Sequence, residues 1–264
     1  MLRIPLSRAA LAGALLLVAA PAASDPLQWQ NNSASYLYGR DFTVGPDVQQ
    51  TLTLEHASGW SVGDLFAFVD LTAFNGEEDA ATGASSWYGE IAPRLSFGKL
   101  AGKPLAAGPV RDVLLAGAVE FGEGPVETAL LGVGVDLAVP GFDYVQVNAY
   151  RRQSLHSGDV RSWQLTPAWR ATLPLGRSDL VIDGYIDWIP VNRGGRHANL
   201  HVSPQIKYDL GKALGGPAQR VYAGIEYDYW SDKYGIDDDG PLGRDVLGGT
   251  DQNTFSLLLK VHLP

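Results

Sequence analysis

Long alternation of apolar and polar residues is the feature that most limits how this chain can fold. In one segment, Leu180, Ile182 and Ile186 alternate with Asp183 and Asp187. A strand places such a set on one face, whereas a helix would spread it over several faces. Most of these segments are about 10 to 14 residues long, whereas strands of soluble proteins average about 5–6 residues and membrane-spanning strands need about 9–11. The alternation therefore predicts long strands that are suited to crossing a membrane.

Twelve segments share this alternation, and turn residues such as Gly45-Pro46 and Pro140-Gly141 separate them. The segments lie near residues 28–38, 47–56, 62–75, 86–97, 111–122, 127–138, 143–152, 161–173, 179–190, 197–210, 219–231 and 251–263. Their even number, with about 20 residues for each strand and its connection, is typical of an up-and-down barrel. The predicted fold class is all-β: a transmembrane antiparallel up-and-down β-barrel of about 12 strands.

A secreted β-sandwich is the alternative architecture, since its strands also alternate. Its strands would be shorter, and its apolar face would point into a core rather than to lipid. Long strands in an even number, with many charges on their polar faces, favour the membrane barrel. Aromatic residues near the strand ends fit the girdles expected at the two membrane surfaces. These residues are Trp29, Tyr36, Tyr38, Trp60, Trp87, Phe121, Trp163, Trp188, Tyr229 and Trp230.

The N-terminus predicts an export signal. Two arginines are its only charges, the run from Ala9 to Ala20 is apolar, and small residues at 22–24 offer a cleavage site. The apolar run is too short for a transmembrane helix, which needs about 20 residues. We therefore expect residues 1–24 to be a cleaved secretory signal peptide that directs export by the Sec route, and residues 25–264 to form the barrel.

Composition and motifs exclude several functions. A net charge of −9 argues against nucleic acid as a partner, and the absence of cysteine excludes disulfides and thiolate metal sites. The chain contains no nucleophile elbow, no His-Glu-x-x-His and no Walker loop, and its histidines lack metal-ligand spacing. We expect no enzyme activity, no cofactor and no metal. His201 and Ser203 on one strand face leave an outer-membrane hydrolase as the weakest alternative.

The connections predict an orientation. If both termini are periplasmic, the odd-numbered connections lie outside the cell, and these are longer and more acidic than the short connections of the other end. The predicted outer connections include 76–85, 153–160 and 232–250, and the predicted short ones are 57–61, 139–142 and 174–178. The connection at 98–110 is long for a periplasmic turn.

Six segments along the chain resemble the OmpK outer-membrane proteins, which belong with the Tsx family of nucleoside-specific channels. They begin at Tyr88, Pro140, Asp183, Pro204, Gly224 and Asp251, and the shared pattern includes Glu90, Pro93, Arg94 and Gly108-Pro109. The resemblance implies a 12-stranded barrel in the outer membrane of a Gram-negative bacterium that lets nucleosides pass by diffusion. It also implies outer-membrane lipid and the assembly machinery as partners, and some relatives are bacteriophage receptors.

The register of each strand predicts which residues face the lumen. There, aromatic faces would stack on a nucleoside base and carboxylates would accept hydrogen bonds from its ribose hydroxyls, with basic residues holding the acids in place. The candidate ligand-binding residues are Phe66, Phe68, Asp70, Tyr88, Glu90, Arg94, Arg170, Lys207, Tyr222, Glu226 and Asp228. Alternatively, these side chains only fill and rigidify the barrel. A shift of one residue in the strand at 62–75 would turn both phenylalanines to lipid.

The predicted function is passive diffusion of small solutes, with nucleosides first, through a narrow charged lumen of an outer-membrane channel. The main alternative is a closed barrel that acts as a surface receptor or adhesin through its outer loops, including a phage receptor.

Overall fold

The computed structural model describes residues 26–124, 126–156, 161–190 and 195–263, so the predicted signal peptide lies outside the described residues. Within these ranges the chain forms twelve antiparallel strands. They are β1 (Leu27–Gly39), β2 (Gln49–Trp60), β3 (Gly63–Ala73), β4 (Ser85–Ser96), β5 (Val110–Gly122), β6 (Glu127–Leu137), β7 (Tyr144–Ser154), β8 (Arg161–Leu175), β9 (Ser178–Ile189), β10 (Asn199–Asp209), β11 (Val221–Ser231) and β12 (Gln252–Leu263). The predicted number of strands is confirmed.

The strands form one closed barrel. Each strand pairs with its neighbours in sequence, and β1 closes the ring by pairing with β12 from Asn32 opposite Leu263 to Gly39 opposite Ser256. Closure leaves no unpaired sheet edge, which is what a sheet in lipid requires. The predicted fold class is therefore confirmed.

The two ends of the barrel carry different connections. Both termini lie at one end, which we call the termini end, together with connections 61–62, 97–109, 138–143, 176–177 and 210–220. The opposite end, which we call the outer end, carries connections 40–48, 74–84 and 232–251 and the described residues of the other three connections. The prediction of a turn at 57–61 was wrong by a few residues, because β2 continues to Trp60.

Two connections at the termini end are longer than the predicted short turns because each contains a helical turn. Helix α1 (Phe97–Leu100) begins after Ser96, whose hydroxyl accepts from the Lys99 amide at 2.9 Å. Helix α2 (Leu210–Ala213) begins after Asp209, whose carboxylate accepts from the amides of Lys212 at 2.9 Å and Gln219 at 2.6 Å. These side chains satisfy amides that helix starts leave without a partner.

The outward face of the strands is an exposed apolar belt. Leu52, Ile91, Val133, Ile206 and Leu257 all point outward and are exposed. Most of the predicted girdle aromatics also lie on this face near the strand ends. Apolar surface of this extent suits lipid and not water. Among the described residues, no helix is both long and apolar enough to cross a membrane.

The inward face is polar except for one packed patch on strands β4 to β7. Ala116, Ala118, Leu130 and Tyr150 are buried there and pack with Ala92. Inward glycines make room for this packing, since a side chain at Gly134 would collide with the amide of Asn148. This patch therefore fills part of the interior beside β4 to β7.

Candidate functional site

All eleven predicted ligand-binding residues lie on the inward face of the barrel. The register pairs Phe68 with Glu90 and with Glu55, whose carboxylate binds the inward-facing Lys260 over β1. The one-residue shift of β3 that would turn Phe66 and Phe68 to lipid therefore does not occur. The eleven residues separate into three groups, one on β3 and β4, one on β11, and one toward the termini end. Their role in binding stays a prediction.

The first group lies on strands β3 and β4. Its rings form a continuous row, with the Phe66 and Phe68 centroids 5.9 Å apart and the Phe68 and Tyr88 centroids 5.8 Å apart. Phe66 points inward and yet is 40% exposed, so it faces open space within the lumen. Asp70 accepts a hydrogen bond from the Thr53 hydroxyl at 2.6 Å, and Glu90 accepts none from the described residues. This wall thus combines aromatic faces with carboxylates that are free to accept hydrogen bonds.

The second group lies on β11 and includes partners that the sequence analysis did not assign to it. Asp228 lies 3.3 Å from Nε2 of His201, and the His201 ring stacks on Trp230 with centroids 4.1 Å apart and an interplanar angle of 7°. Tyr185 meets the other side of His201 edge-on at 5.3 Å. Glu226 accepts from the Gln205 amide at 2.7 Å. The wall of β9 to β11 is therefore a second aromatic and acidic surface.

Trp230 faces the lumen, so the prediction that it belongs to the membrane girdle was wrong. The register pairs it with inward-facing His201 and Gln252. Tyr229, one residue earlier, has the outward position. The signal was present in the sequence, because Trp230 shares the alternation of Glu226 and Asp228.

These two walls face each other. Strand β3 and strand β9 are separated by half of the closed ring, and so are β4 and β10. Carboxylates of the two walls are close enough for their charges to repel each other, Asp70 with Glu226 and Glu90 with Asp187. The space between the two walls is therefore lined by aromatic rings and carboxylates.

A hydrogen-bonded network spans the wall between the two groups. Arg152 of β7 forms an ion pair with Glu120 and donates to Gln164 at 2.6 Å. Gln164 in turn donates to Asp187 at 2.9 Å. The only arginine in this part of the described strands that points inward is thus already bound to protein groups.

The third group, toward the termini end, braces the barrel. Arg94 donates to Asp64 at 2.7 and 2.8 Å and to Asp136 at 2.9 Å, which ties β4 to β3 and β6. Lys207 binds Asp183 at 2.5 Å. Fully satisfied networks of this kind rigidify an interior.

Two further predicted residues lie in the same region. Arg170 lies 3.5 Å from Asp143, and Tyr222 is 1% exposed with its ring against His262. The ring of Tyr222 therefore has no free face for a solute.

A lysine of connection 232–251 covers the second aromatic wall. The ammonium of Lys233 lies 5.6 Å from the ring centre of Trp230, 5.3 Å from that of Tyr234 and 5.9 Å from that of Phe42. It donates to the Thr43 carbonyl at 3.0 Å and to the side-chain oxygen of Gln252. Burial lowers the pKa of Lys233 to about 8, an effect that the nearby Asp228 opposes. Lys233 thus joins connections 40–48 and 232–251 above the lumen.

Three potential metal ligands meet at the outer end, although their sequence spacing gives no sign of it. Ligand atoms of His197, Asp232 and Asp237 lie within 4.8 Å of one another. Nδ1 of His197 lies 3.0 Å from the Asp232 carboxylate, which raises the pKa of His197 above 6.5. The ion pair by itself accounts for the closeness of two of the three groups.

The hydrolase alternative gains no support from this geometry. His201 is held by Asp228 and by the Tyr185 hydroxyl, 3.5 Å from Nδ1, and among the described residues no hydrogen bond joins His201 to Ser203. A nucleophilic serine needs a base within hydrogen-bond reach.

Comparison with known proteins places the chain among channel-forming proteins. Residues 24–262 match the sequence model of the family described as "Nucleoside-specific channel-forming protein, Tsx". Outer membrane protein OmpK of Vibrio parahaemolyticus is 27% identical over 143 residues, which cover 52% of this chain and 54% of the relative. OmpK of serotype O3:K6 (strain RIMD 2210633) is 28% identical over 160 residues, covering 56% and 59%. The matched part of the chain thus spans little more than half the length of these relatives.

Solved structures with a similar trace include a mutant of the Rh. blastica porin, with 9% identity and a TM-score of 0.34 over 89% of this chain and 99% of the porin. The outer membrane protein opdK from Pseudomonas aeruginosa has 12% identity and a TM-score of 0.28, covering 89% of this chain and 98% of opdK.

Proposed function

Because this chain belongs to the family of nucleoside-specific channel-forming proteins, Tsx, we propose that it is an outer-membrane channel through which nucleosides diffuse. Its family and its closed barrel are those of channels rather than of enzymes. The exposed apolar belt fits a membrane location, and the predicted Sec export and the outer-membrane assembly machinery would bring the protein there. A role as a phage receptor has no observation in its favour.

The observation that supports this proposal best is the row of aromatic rings on β3 and β4, with the carboxylates of Asp70 and Glu90 beside it. A nucleoside is an uncharged solute with a flat base and a hydroxylated ribose. Base stacking on an aromatic side chain contributes about 1–3 kcal/mol. Phe68 and Tyr88 of β3 and β4 offer such faces, while Asp70 and Glu90 can accept from ribose hydroxyls.

Not all candidate residues would contribute equally. Arg94, Lys207 and Tyr222 are almost completely buried, so we assign them to the support of the barrel. Phe66 and Phe68 of β3 lie next to open lumen space and would contact the solute. Binding has to stay weak, because a solute that binds tightly does not leave the channel.

The test is the ion conductance of the refolded protein in planar bilayers, titrated with adenosine, thymidine and a sugar. We expect the nucleosides to reduce the conductance and the sugar to leave it unchanged. The variant Phe68→Ala should require a nucleoside concentration at least about fivefold higher for the same block, because one stacking contact is lost.

Phe255→Ala is the matched control, since Phe255 of β12 is an exposed phenylalanine on the outward face. Nucleosides should block this variant at the same concentration as they block the unmodified protein. Conductance that nucleosides do not reduce would remove the nucleoside part of the proposal. No conductance from folded protein would contradict a channel and favour the closed receptor barrel.

A further inference from the structure

Charge inside the barrel is segregated along its axis. Four inward-facing basic residues lie in the half nearer the termini end, and each has a carboxylate partner. They are Arg94 with Asp64 and Asp136, Arg170 with Asp143, Lys207 with Asp183, and Lys260 with Glu55. This half therefore presents few free charges to a passing solute.

The half from the middle to the outer end is acidic. Its inward-facing strand residues include Asp70, Glu90, Glu120, Asp187, Glu226 and Asp228. Arg152 is the one inward-facing arginine or lysine of the described strands in this half, and Glu120 binds it. Among the described residues, Asp70, Glu90 and Glu226 have no cationic partner within ion-pair distance, and each is partly exposed. These three carboxylates are therefore available to a cation that enters the lumen.

We propose that Asp70, Glu90 and Glu226 form a charge filter that makes this channel prefer cations, both small ions and flat solutes that carry a protonated amine. The inference rests on the proposed channel function and adds a preference for charge to it. A narrow path lined by one sign of charge, with low-dielectric walls, concentrates ions of the opposite sign. Carboxylate rings give pores their preference for cations in the same way.

The position of Lys233 is an independent observation in favour of this filter. This ammonium belongs to the protein itself, and it sits at the outer end of the acidic half, over Trp230 and Tyr234 and under the attraction of Asp228. Aromatic faces and a carboxylate together are the surroundings that bind ammonium groups. Lys233 thus shows that the outer end of this region holds an amine, while the three filter carboxylates further in have no cationic partner among the described residues.

The test measures the reversal potential of the refolded channel across a KCl gradient at pH 8. We expect potassium to permeate at least about fivefold better than chloride, the factor that a single charge contact near 4 Å provides even in water. The triple variant Asp70→Asn, Glu90→Gln, Glu226→Gln should bring the ratio close to one. The exposed loop variant Glu78→Gln should leave it unchanged, because its carboxylate lies outside the lumen.

A second measurement compares block by adenosine with block by 5′-amino-5′-deoxyadenosine. The amine should act at a concentration about fivefold lower in the unmodified channel and lose this advantage in the triple variant. A channel without preference for potassium, or a triple variant that keeps the preference, would overturn the filter.

The two proposals fail separately in these experiments. Potassium preference without nucleoside block would leave the filter standing and remove the nucleoside channel. Nucleoside block in a channel that does not discriminate between potassium and chloride would leave the nucleoside channel standing and remove the filter. Folded protein that conducts no ions would overturn both proposals.

Discussion

Arg94 offers the sharpest test of how the termini end of the barrel is held together. Its side chain is 4% exposed and donates three hydrogen bonds, two to Asp64 at 2.7 and 2.8 Å and one to Asp136 at 2.9 Å. The two carboxylates are 28% and 30% exposed, so water in the lumen can hydrate them once the guanidinium is gone.

We expect Arg94→Met to lower the free energy of unfolding by about 3 kcal/mol. Removing one partner of a buried ion pair costs about 3–5 kcal/mol, and hydration of the two aspartates places this pair at the lower limit. Asp64→Asn should cost more than Asp136→Asn, because Asp64 accepts two of the three hydrogen bonds, each worth about 1.5 kcal/mol or more when charged.

The measurement is urea unfolding of the protein folded into phosphatidylcholine vesicles, followed by tryptophan fluorescence. Lys212→Met is the control, because its ion pair with Asp179 lies at the same end but leaves the lysine side chain 41% exposed. Exposed pairs contribute about 0–1 kcal/mol. If Arg94→Met destabilised the barrel no more than Lys212→Met does, the idea that Arg94 braces three strands would be refuted.

Three other predictions concern the belt, the outer ion pair and the outer connections. Leu257 points outward and is 68% exposed, so Leu257→Arg should lower the free energy of unfolding in vesicles by about 2–4 kcal/mol. Leu214→Arg, in a connection, should change it by less than about 0.5 kcal/mol. Equal effects of the two substitutions would contradict the lipid belt. Asp232 raises the pKa of His197, so the ion pair should stabilise the fold fully below pH 6.5 and lose this effect as the pH rises through the raised pKa. His197→Gln should therefore be more destabilising at pH 6 than at pH 9, and urea unfolding at the two pH values measures this difference. Lys233→Ala should speed proteolytic cleavage within 232–251, because both hydrogen bonds of the ammonium are lost, and an unchanged cleavage rate would show that other contacts hold this connection.

The fold was predictable to within a few residues at most strand ends. Alternation with a period of two depends only on the sequence. Because lipid lies outside the barrel and polar groups lie inside it, each residue's place in the alternation shows which way its side chain points. The connections were less predictable. The 97–109 and 210–220 segments contain helical turns that depend on caps from Ser96 and Asp209, and each cap acts only once the strand before it is in place.

The candidate site was predictable in its orientation but not in its grouping. The alternation of β3 and β11 was enough to place Phe68 and Glu226 on the inward face. It did not indicate that Tyr222 is covered by His262, nor that His201 stacks on Trp230, because these contacts join residues of different strands.

By itself, the sequence determined that the chain forms long strands, which face of each strand meets lipid, and that the interior is charged. These properties follow from local residue order, since neighbours in a strand point to opposite sides. Only the tertiary structure decided which charges neutralise each other. Pairing of β5 with both of its neighbours brings Arg94 to Asp136, and closure of the ring between β1 and β12 brings Lys260 to Glu55. Closure also sets β3 and β4 opposite β9 and β10, while Asp70 and Glu90 keep no cationic partner among the described residues. Distances across the barrel depend on strand number, tilt and register together, and no single segment of sequence contains all three.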